Sequence, residues 1–462
     1  MRKAIQLWVL CMSVFIWAGD EPGEQGNLGS DRIQQEAITS GQMSLHAIRK
    51  KGRQIFSTPF NHLDGYGDGP MDYADPTTPG GRPTLQNNGT YLRVNGLDGQ
   101  TCLDCHSIVS NASIPATFGV GGVGGSAANA IALPTEMDVD DEGGFGYAFF
   151  NGRFINPPFL FGSGGVELLG KEMTRDLQRL KQQAQAQPGT VVELISKGIH
   201  FGFIRYENGE WDTSQVEGID EDLVVRPFGR KGEFISTRAF DIEAMRFHFG
   251  MQPVEFVGKD VDADGDGVVN EILVGELSAL SIFNTTLNRP FESHRSDDRQ
   301  RGFDTFVAIG CADCHSPSLE TESRELTYSF PEVDEDPSAN VYYSADLSRF
   351  PTNFDRSANG GLVVPLFSDL KRHNMGPDLA ESTGGALDPL FITARLWGVA
   401  DTAPYLHDGR AQTLTRAIML HGGEAEQARD AFEALPATDR EAILAFLRGL
   451  RTPKNPGSDL SP

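Results

Sequence analysis

The chain has 462 residues, of which 39% are hydrophobic, and it carries a formal net charge of -25 at pH 7. A chain of this length can bury two or more hydrophobic cores. The negative charge argues against binding to nucleic acid or to an anionic membrane surface, because like charges repel. An acidic redox protein could use this charge to attract a basic partner, although a solvated surface that keeps the protein soluble is the simpler explanation.

Residues 1–19 have the features of a secretory signal peptide. They begin with two basic residues, continue as an apolar run and end at small residues. The run is too short for a comfortable membrane span. Cys11 within it could instead anchor a lipoprotein, although the residue before it is a bulky leucine. We therefore expect the segment to be removed and the mature protein to have no membrane span.

Two copies of the motif CxxCH follow, at Cys102–His106 and at Cys311–His315. Two thiols at this spacing can bond to the vinyl groups of one haem, and the adjoining histidine can ligate its iron. A zinc site would need a second cysteine pair close by, and a thioredoxin-like CxxC needs no histidine after it. The sequence therefore predicts two covalent c-type haems in a periplasmic protein, since such haems are attached outside the bacterial cytoplasm. The attachment residues are Cys102, Cys105, Cys311 and Cys314, and the proximal ligands are His106 and His315.

Between the two motifs the sequence is rich in loops, with a few regular elements. Residues 171–187 carry apolar side chains at helical spacing and end before Pro188 and Gly189, which predicts a helix. Residues 190–206 and the stretch from Trp211 onward are strand-like runs on either side of a Glu-Asn-Gly-Glu turn, which predicts a small β-hairpin.

An acidic loop at residues 260–271 fits the calcium-loop pattern D-x-[DN]-x-[DN]-G-x5-E. A second register beginning two residues later is also readable, and a solvated acidic turn is the alternative without a metal. Gly267 stands where an EF-hand usually has an aliphatic residue, so we expect one structural calcium ion rather than a paired EF-hand. The expected oxygen ligands are Asp260, Asp262, Asp264, the Asp266 carbonyl and Glu271.

The composition divides the rest of the chain into two large units. A flexible polar arm at 20–44 precedes an N-terminal unit at 45–287, and a charged linker at 288–301 leads to a C-terminal unit at 302–452 and a tail at 453–462. Each unit opens with a short predicted helix, and the two form a weak internal repeat. A capping box and apolar residues at i, i+3, i+4 and i+7 predict a last helix, of the kind that packs across a cytochrome c haem.

Several motifs, taken together, resemble a known family. The segment Phe391–Arg410, FITARLWGVADTAPYLHDGR, looks like the one that follows the second haem site in dihaem bacterial cytochrome c peroxidases. The wider pattern resembles the di-haem oxidoreductase, putative peroxidase, family over about Gly52–Leu450. The resemblance implies a mainly α-helical chain of two cytochrome c-like haem domains with loop-rich insertions and a small β-hairpin. The other motifs that carry the resemblance are His421–Ala425, Leu370–Gly376, Phe228–Gly232 and Pro157–Gly162.

The resemblance implies a sixth ligand for the second haem iron. In the peroxidases this ligand, usually methionine, lies fourteen positions after the histidine of a His-Asp-Gly motif, and the same count from His407 reaches His421. We therefore expect His315 and His421 to form a bis-histidine, low-spin haem that stores or passes electrons. Met375 is the alternative ligand. Without the resemblance, His421 could equally be an ordinary histidine at a helix end.

The first haem departs from the peroxidase pattern. Those enzymes carry a removable distal histidine about sixteen residues after the proximal one, whereas no histidine lies between His106 and His200 here. The iron is therefore expected to be five-coordinate and open to peroxide or oxygen. Alignment on the Phe-Gly-x-Lys motif places Arg230 and Phe240 where the family has tryptophan and glutamine, and His248 near its acid.

His248 is expected to be the distal proton shuttle of the first haem. A sixth ligand and a packed core histidine are the alternatives. Arg230 is expected to stabilise a haem propionate or a developing anion, with an exposed ion pair as its alternative.

The expected activity is that of a peroxidase-like oxidoreductase with two unequal haems. Peroxide, or a related oxidant, would react at the N-terminal haem, with electrons relayed through the C-terminal haem from a small redox protein of cytochrome c or cupredoxin type. A dihaem oxygenase that uses oxygen on an organic substrate is one alternative. An electron carrier without catalysis is the other.

Overall fold

The computed structural model describes residues 25–67, 100–106, 131–140, 147–383, 386–454, 456 and 460. For a few of these, including the strands at 131–140 and 147–155, only the backbone is described. The expected signal peptide at 1–19, with Cys11, lies outside the described residues. No helix in the described part of the chain is long and apolar enough to cross a membrane.

Helices in the described residues are short, apart from one of 24 residues. A π-helical turn, Met245–Phe249, continues α4 directly. The α-helices are α1 (Gln35–Thr39), α2 (Leu45–Ser57), α3 (Ser163–Ala186), α4 (Thr237–Ala244), α5 (Val254–Val257), α6 (Val274–Thr285), α7 (Asp297–Ala308), α8 (Leu414–Met419), α9 (Glu426–Ala434) and α10 (Ala437–Leu447).

Strands pair into small sheets of two or three members, all antiparallel. The pairs are β1 with β2, β12 with β15, β13 with β14, β6 with β16 and β8 with β9; the triplets are β3-β4-β5 and β10-β11-β7. In chain order the strands are β1 (Ile131–Asp140), β2 (Tyr147–Ile155), β3 (Val191–Ser196), β4 (Ile199–Glu207), β5 (Glu210–Val216), β6 (Phe291–Glu292), β7 (Leu319–Glu320), β8 (Glu325–Ser329), β9 (Val341–Asp346), β10 (Asp355–Arg356), β11 (Leu362–Val364), β12 (Arg372–Asn374), β13 (Glu381–Thr383), β14 (Ala386–Asp388), β15 (Leu390–Ile392) and β16 (Leu450–Arg451).

The expectation of a mainly α-helical chain is wrong. Helices make up 36% of the structure and strands 18%, and the strands form several small sheets. The predicted hairpin is the first part of a three-stranded sheet, β3-β4-β5, whose first strand alternates exposed and buried residues. Most other strands are two to six residues long, and several pair with distant segments, as β6 does with β16. Such short strands depend on tertiary contacts and leave little local sequence signal.

Two clusters of buried apolar side chains hold the structure together. The larger includes residues from both sides of the expected 288–301 linker, such as Phe283 and Leu326. The smaller belongs to the C-terminal unit and consists of Phe306, Phe367, Phe432, Ile443, Phe446, Leu447 and Leu450. The second CxxCH motif therefore has an apolar core of its own, and part of the chain after the linker packs into the larger core.

The weak internal repeat, at Gly52 and at Gly302, corresponds to two similar helix crossings. Helix α2 crosses α6 at Gly52, where a Cβ atom would overlap the carbonyl oxygen of Ala279. Helix α7 crosses α10 at Gly302, where a Cβ atom would overlap the carbonyl oxygen of Ala442. Each glycine thus lets two helix backbones approach closely, and four residues later each helix presents a buried phenylalanine, Phe56 or Phe306.

Replacing Gly302 with alanine is expected to destabilise the C-terminal unit by about 1–3 kcal/mol, because the added methyl group overpacks the α7–α10 contact. Chemical denaturation followed by haem absorbance would measure the loss. Arg301→Ala, an exposed neighbour on the same helix, should change the free energy of unfolding by about 0.5 kcal/mol or less. Equal effects of the two substitutions would contradict the close approach seen at this crossing.

Candidate haem sites

The second CxxCH motif is held in a tight turn directly after α7. The helix ends at Ala308, and Gly310 follows with a φ of 89°, a left-handed conformation that favours glycine. Residues Cys311–Asp313 form a 3-10 turn, and the N–H of His315 donates to the carbonyl of the first cysteine at 3.0 Å. Both free thiols and the imidazole therefore project from one short turn, as attachment to a single haem requires.

The imidazole ring of His315 faces that of His421. The ring centroids are 6.4 Å apart and the ring planes are inclined by 53°. A metal–imidazole bond, as in zinc sites, is about 2.0–2.1 Å long, and the ring centre lies roughly 1.1 Å beyond the nitrogen. Two rings on opposite sides of one metal would therefore have centroids about 6.3 Å apart. The observed separation fits an iron bound between the two residues.

Main-chain carbonyls orient both rings. Nδ1 of His315 lies 3.0 Å from the Phe367 oxygen, and Nδ1 of His421 lies 2.8 Å from the Ala417 oxygen. Since a carbonyl can only accept, each Nδ1 carries the proton, which leaves a lone pair on Nε2 for a metal. Burial, assisted by His421, lowers the pKa of His315 to about 4, and burial lowers the pKa of His421. Both rings are thus neutral near pH 7, the form that binds metals.

Met375, the alternative ligand, lies in the loop next to His421. Its N–H donates to the Pro389 carbonyl at 2.9 Å, and its own carbonyl oxygen lies against Gly422. The ring that faces His315 belongs to His421. The geometry therefore favours the histidine pair over a histidine–methionine pair.

The first CxxCH motif has the same local arrangement. Residues Cys102–Asp104 form a 3-10 turn, and the N–H of His106 donates to the carbonyl of the first cysteine at 2.9 Å. The ring of Phe56 lies 6.3 Å from the ring of His106. In the second motif the corresponding distance, from Phe306 to His315, is 6.4 Å. Helix, aromatic side chain and motif turn are therefore repeated in the two units.

His248 interacts electrostatically with His106 of the first motif. The pKa of His106 is lowered to about 3, first by burial and second by His248, while the carbonyl of Pro158 acts in the opposite direction. Nδ1 of His106 is buried, with no partner at hydrogen-bond geometry among the described residues. His248 belongs to the π-helical turn Met245–Phe249, and such turns frequently occur at functional sites.

Aromatic side chains fix the segment that carries His248. The ring of Phe249 is buried and lies 5.2 Å from Phe60 and 6.3 Å from Tyr66, both edge-on. The N–H of Gly67 donates to the Phe249 carbonyl at 2.8 Å. The contacts of Phe249 therefore anchor the segment that carries His248 to the N-terminal part of the chain.

Comparison with known proteins identifies the C-terminal part of the chain. Residues 352–450 match the profile of a family described as "Di-haem oxidoreductase, putative peroxidase". The resemblance to this family is confirmed. The match contains His407 and His421, covers less than half of the chain and includes neither CxxCH motif. It supports a haem-dependent oxidoreductase of peroxidase-like kind.

Comparisons with curated proteins and with solved structures give no further indication of function. No curated protein matches the chain significantly. A solved structure of hydrazine synthase from Kuenenia stuttgartiensis, pressurised with xenon, is 15% identical, with 62% of this chain and 87% of that chain covered and a TM-score of 0.28. A MauG-like protein associated with microbial copper homeostasis is 17% identical, with 50% and 70% covered and the same TM-score of 0.28. At these TM-scores neither superposition describes a shared overall fold.

Arg230 lies in a buried polar cluster with residues of the di-haem oxidoreductase segment. Its Nε donates to the carboxylate of Glu381 at 2.8 Å, and a Glu381 oxygen is 3.4 Å from Nε2 of His407. The ring of His407 stacks on Phe391 with centroids 4.5 Å apart, and burial lowers its pKa. Glu381 thus connects Arg230 with His407 of the His-Asp-Gly segment. The sequence analysis did not identify Glu381.

Arg395, in the same segment, is a half-buried cation suited to an anionic partner. Its guanidinium reaches the carbonyls of Phe159, at 3.3 Å, and Pro227, at 3.5 Å. Burial lowers its pKa to about 10, and no carboxylate forms an ion pair with it among the described residues. A charge partly withdrawn from water is stabilised by a counter-charge, which a haem propionate would supply.

His373 is a third residue that the sequence analysis missed. Its ring nitrogens lie 2.8 Å from Asp369 and 2.7 Å from Glu424. Burial alone would lower its pKa, but hydrogen bonds with Asp369, Cys314 and Glu424 raise it to about 11. A positive charge is therefore held beside the second cysteine of the second CxxCH motif.

The acidic loop brings together only part of its expected ligand set. Carboxylate oxygens of Asp262, Asp264 and Asp266 lie within 4.8 Å of one another. Burial, then repulsion from these aspartates, raises the pKa of Glu271 to about 10, and burial raises the pKa of Asp266 to about 6. Asp260 instead exchanges two hydrogen bonds with Asn270.

Proposed function

We propose that this chain is a periplasmic di-haem c-type cytochrome that reduces hydrogen peroxide, or a related oxidant, at the haem of His106. Thioether bonds from the motif cysteines attach both haems. The proposal rests on a second histidine, His248, whose charge acts on the buried His106 and whose segment is anchored by the aromatic contacts of Phe249. The family match at residues 352–450 supports the peroxidase-like chemistry.

Peroxide reduction needs both protons and electrons: H2O2 + 2 H+ + 2 e- gives 2 H2O. When bound, a haem with an open coordination position supplies the binding of peroxide and the transfer of electrons to it. His248 would move a proton from one peroxide oxygen to the other, which would leave as water. Phe249, the next residue along the chain, packs edge-on against Phe60, and such apolar packing would help to exclude bulk water from this segment.

The residues around His315 and His421 suit electron storage rather than catalysis. His315 and His421 would hold one iron between them, which would leave no position on it for an oxidant. The carbonyls that fix each ring keep the ligands in place in both oxidation states. A small basic redox protein, of cytochrome c or cupredoxin type, supplies the electrons and is attracted by the acidic surface.

Electron transfer without catalysis is a second candidate function. This function is favoured by the same interaction of His248 with His106. A histidine that ligated the first iron would occupy the position at which an oxidant binds, as proposed for His421 at the second iron. Carbon monoxide added to the fully reduced protein separates the two functions. We expect it to bind one haem of the two; binding to neither would favour the carrier.

Reoxidation by peroxide tests the proposed activity directly. We expect hydrogen peroxide to reoxidise the reduced protein completely, with one peroxide consumed for every two haems. Electron paramagnetic resonance of the oxidised protein should show one low-spin haem of bis-histidine type and a second, different signal. If peroxide reoxidises the reduced protein no faster than the same buffer does without peroxide, the protein is not a peroxidase.

A further inference from the structure

Three aspartates of the acidic loop converge on one point. Their side-chain oxygens, from Asp262, Asp264 and Asp266, lie within 4.8 Å of one another, and Asp264 is buried. The N–H groups of Gly265 and Gly267 bond to Asp262, which holds the loop closed. Like charges at this separation repel one another, so the arrangement by itself is unfavourable without a cation.

A buried glutamate next to the three aspartates points to the same ligand. Glu271 is 2% exposed, and its Oε2 accepts from the N–H of Gln252 at 2.7 Å. Its Oε1 is also buried but has no hydrogen-bond partner among the described residues. Asp264, Asp266 and Asp262 are all close enough for their charges to act on this carboxylate. A buried oxygen left without a donor is costly, and a cation would satisfy it.

The contacts of Asp260 exclude it from this group. Its N–H donates to the side-chain oxygen of Asn270 at 2.8 Å, and the Asn270 amide donates back to its carboxylate at 2.8 Å. The group of convergent carboxylates therefore begins at Asp262, two residues after the first position of the expected calcium loop. The three aspartates are those of the second register that the sequence allows, whereas Glu271 is the glutamate of the first.

We propose that Asp262, Asp264, Asp266 and Glu271 bind one calcium ion, and that this ion fixes the segment carrying His248. Calcium accepts an all-oxygen ligand set of mixed carboxylates in a flexible loop, whereas magnesium demands a tighter octahedron. The link to His248 rests on the proposed haem at His106; the metal site itself does not.

One residue, Gln252, connects the metal site to the distal segment. Its N–H is bonded to Glu271, and its side-chain oxygen accepts from the N–H of Ala263 in the acidic loop at 3.2 Å. The preceding residue, Met251, donates its N–H to the Met245 carbonyl at 3.0 Å, across the π-helical turn. Loss of the ion would leave Oε1 of Glu271 without a partner and loosen Gln252, four residues from His248.

Calcium titration of the chelator-treated holoprotein tests the site. Calorimetry should show one calcium ion bound per chain. Asp264→Asn and the exposed Asp262→Asn should each weaken binding by about tenfold or more, because each removes a charged ligand. Asp260→Asn is the matched control, since asparagine can still accept from Asn270, and it should bind within about twofold of the unchanged protein. Absence of calcium binding, or equal weakening by Asp260→Asn, would overturn the assignment.

Spectra of the same samples test the link to His248. Removing calcium with a chelator should change the electron paramagnetic resonance signal of the first haem and leave the bis-histidine signal unchanged. Calcium, but not magnesium, should restore it. If calorimetry confirms the ion but the first-haem signal does not respond, the link is wrong while the metal site stands. These readouts do not involve peroxide, so failure of the peroxidase assay leaves them interpretable.

Discussion

Replacing His248 with alanine is expected to lower the rate of peroxide reduction by about a hundredfold, which corresponds to about 2.7 kcal/mol in the barrier. A positioned acid–base group typically contributes this much to a proton transfer, and cleavage of an O–O bond needs a proton on the departing oxygen. The measurement is single-turnover reoxidation of the reduced protein by peroxide. The bis-histidine signal of the second haem should be the same in the variant and in the unchanged protein.

His62→Ala is a suitable control for His248→Ala. His62 is exposed in a 3-10 turn, His62–Asp64, whose end adjoins Tyr66, itself in contact with Phe249. Its removal should leave the rate within about twofold, since exposed substitutions rarely affect structure. If His248→Ala raises the rate and converts the first haem to a high-spin form, His248 is a ligand that closes the site, and its assignment as a proton shuttle is wrong.

Replacing His421 with alanine is expected to convert the second haem from low-spin to high-spin and to open it to carbon monoxide. The reduced variant should bind two molecules of carbon monoxide per chain, where we expect the unchanged protein to bind one. Transfer of electrons from the donor protein should slow by at least about tenfold, because loss of an axial ligand shifts the reduction potential of the iron. Electron paramagnetic resonance, redox titration and carbon monoxide binding measure these three effects.

Met375→Leu is the matched control for His421→Ala. Leucine has nearly the volume of methionine but no sulfur. The substitution therefore removes the only atom with which this side chain could bind a metal, with little effect on packing. Because His421 faces His315 at 6.4 Å, the leucine variant should keep the low-spin signal. A high-spin second haem in Met375→Leu, with a normal signal in His421→Ala, would assign the ligand to the methionine.

The sequence predicts those parts of the sites in which the spacing of residues along the chain determines what they can bind. CxxCH places two thiols and an imidazole in one turn in either unit, and the structure has that turn at both motifs. His421 could be found because its distance from His407 follows a family pattern. Glu381 and Arg395 could not, since their partners are distant in the chain: Glu381 contacts Arg230 across 151 positions.

The fold was harder to predict for a related reason. Helix α3 begins at Ser163, eight residues before the predicted start at Lys171, in a stretch rich in glycine that disfavours helix in isolation. Tertiary packing explains the difference, because a Cβ atom at Gly164 would overlap the Thr285 carbonyl and one at Gly165 would press on Phe354. Close packing with α6 therefore required glycine where local propensity argued against a helix.

The orientation of His315 and His421 has a consequence for the speed of electron exchange. Each ring is anchored by a main-chain carbonyl rather than by a mobile side chain, and the two rings already stand at the spacing that a shared iron requires. An iron held in this way would change its charge with little displacement of the surrounding nuclei. The reorganisation energy would be correspondingly small, so such a centre would exchange electrons over a longer distance before tunnelling became limiting.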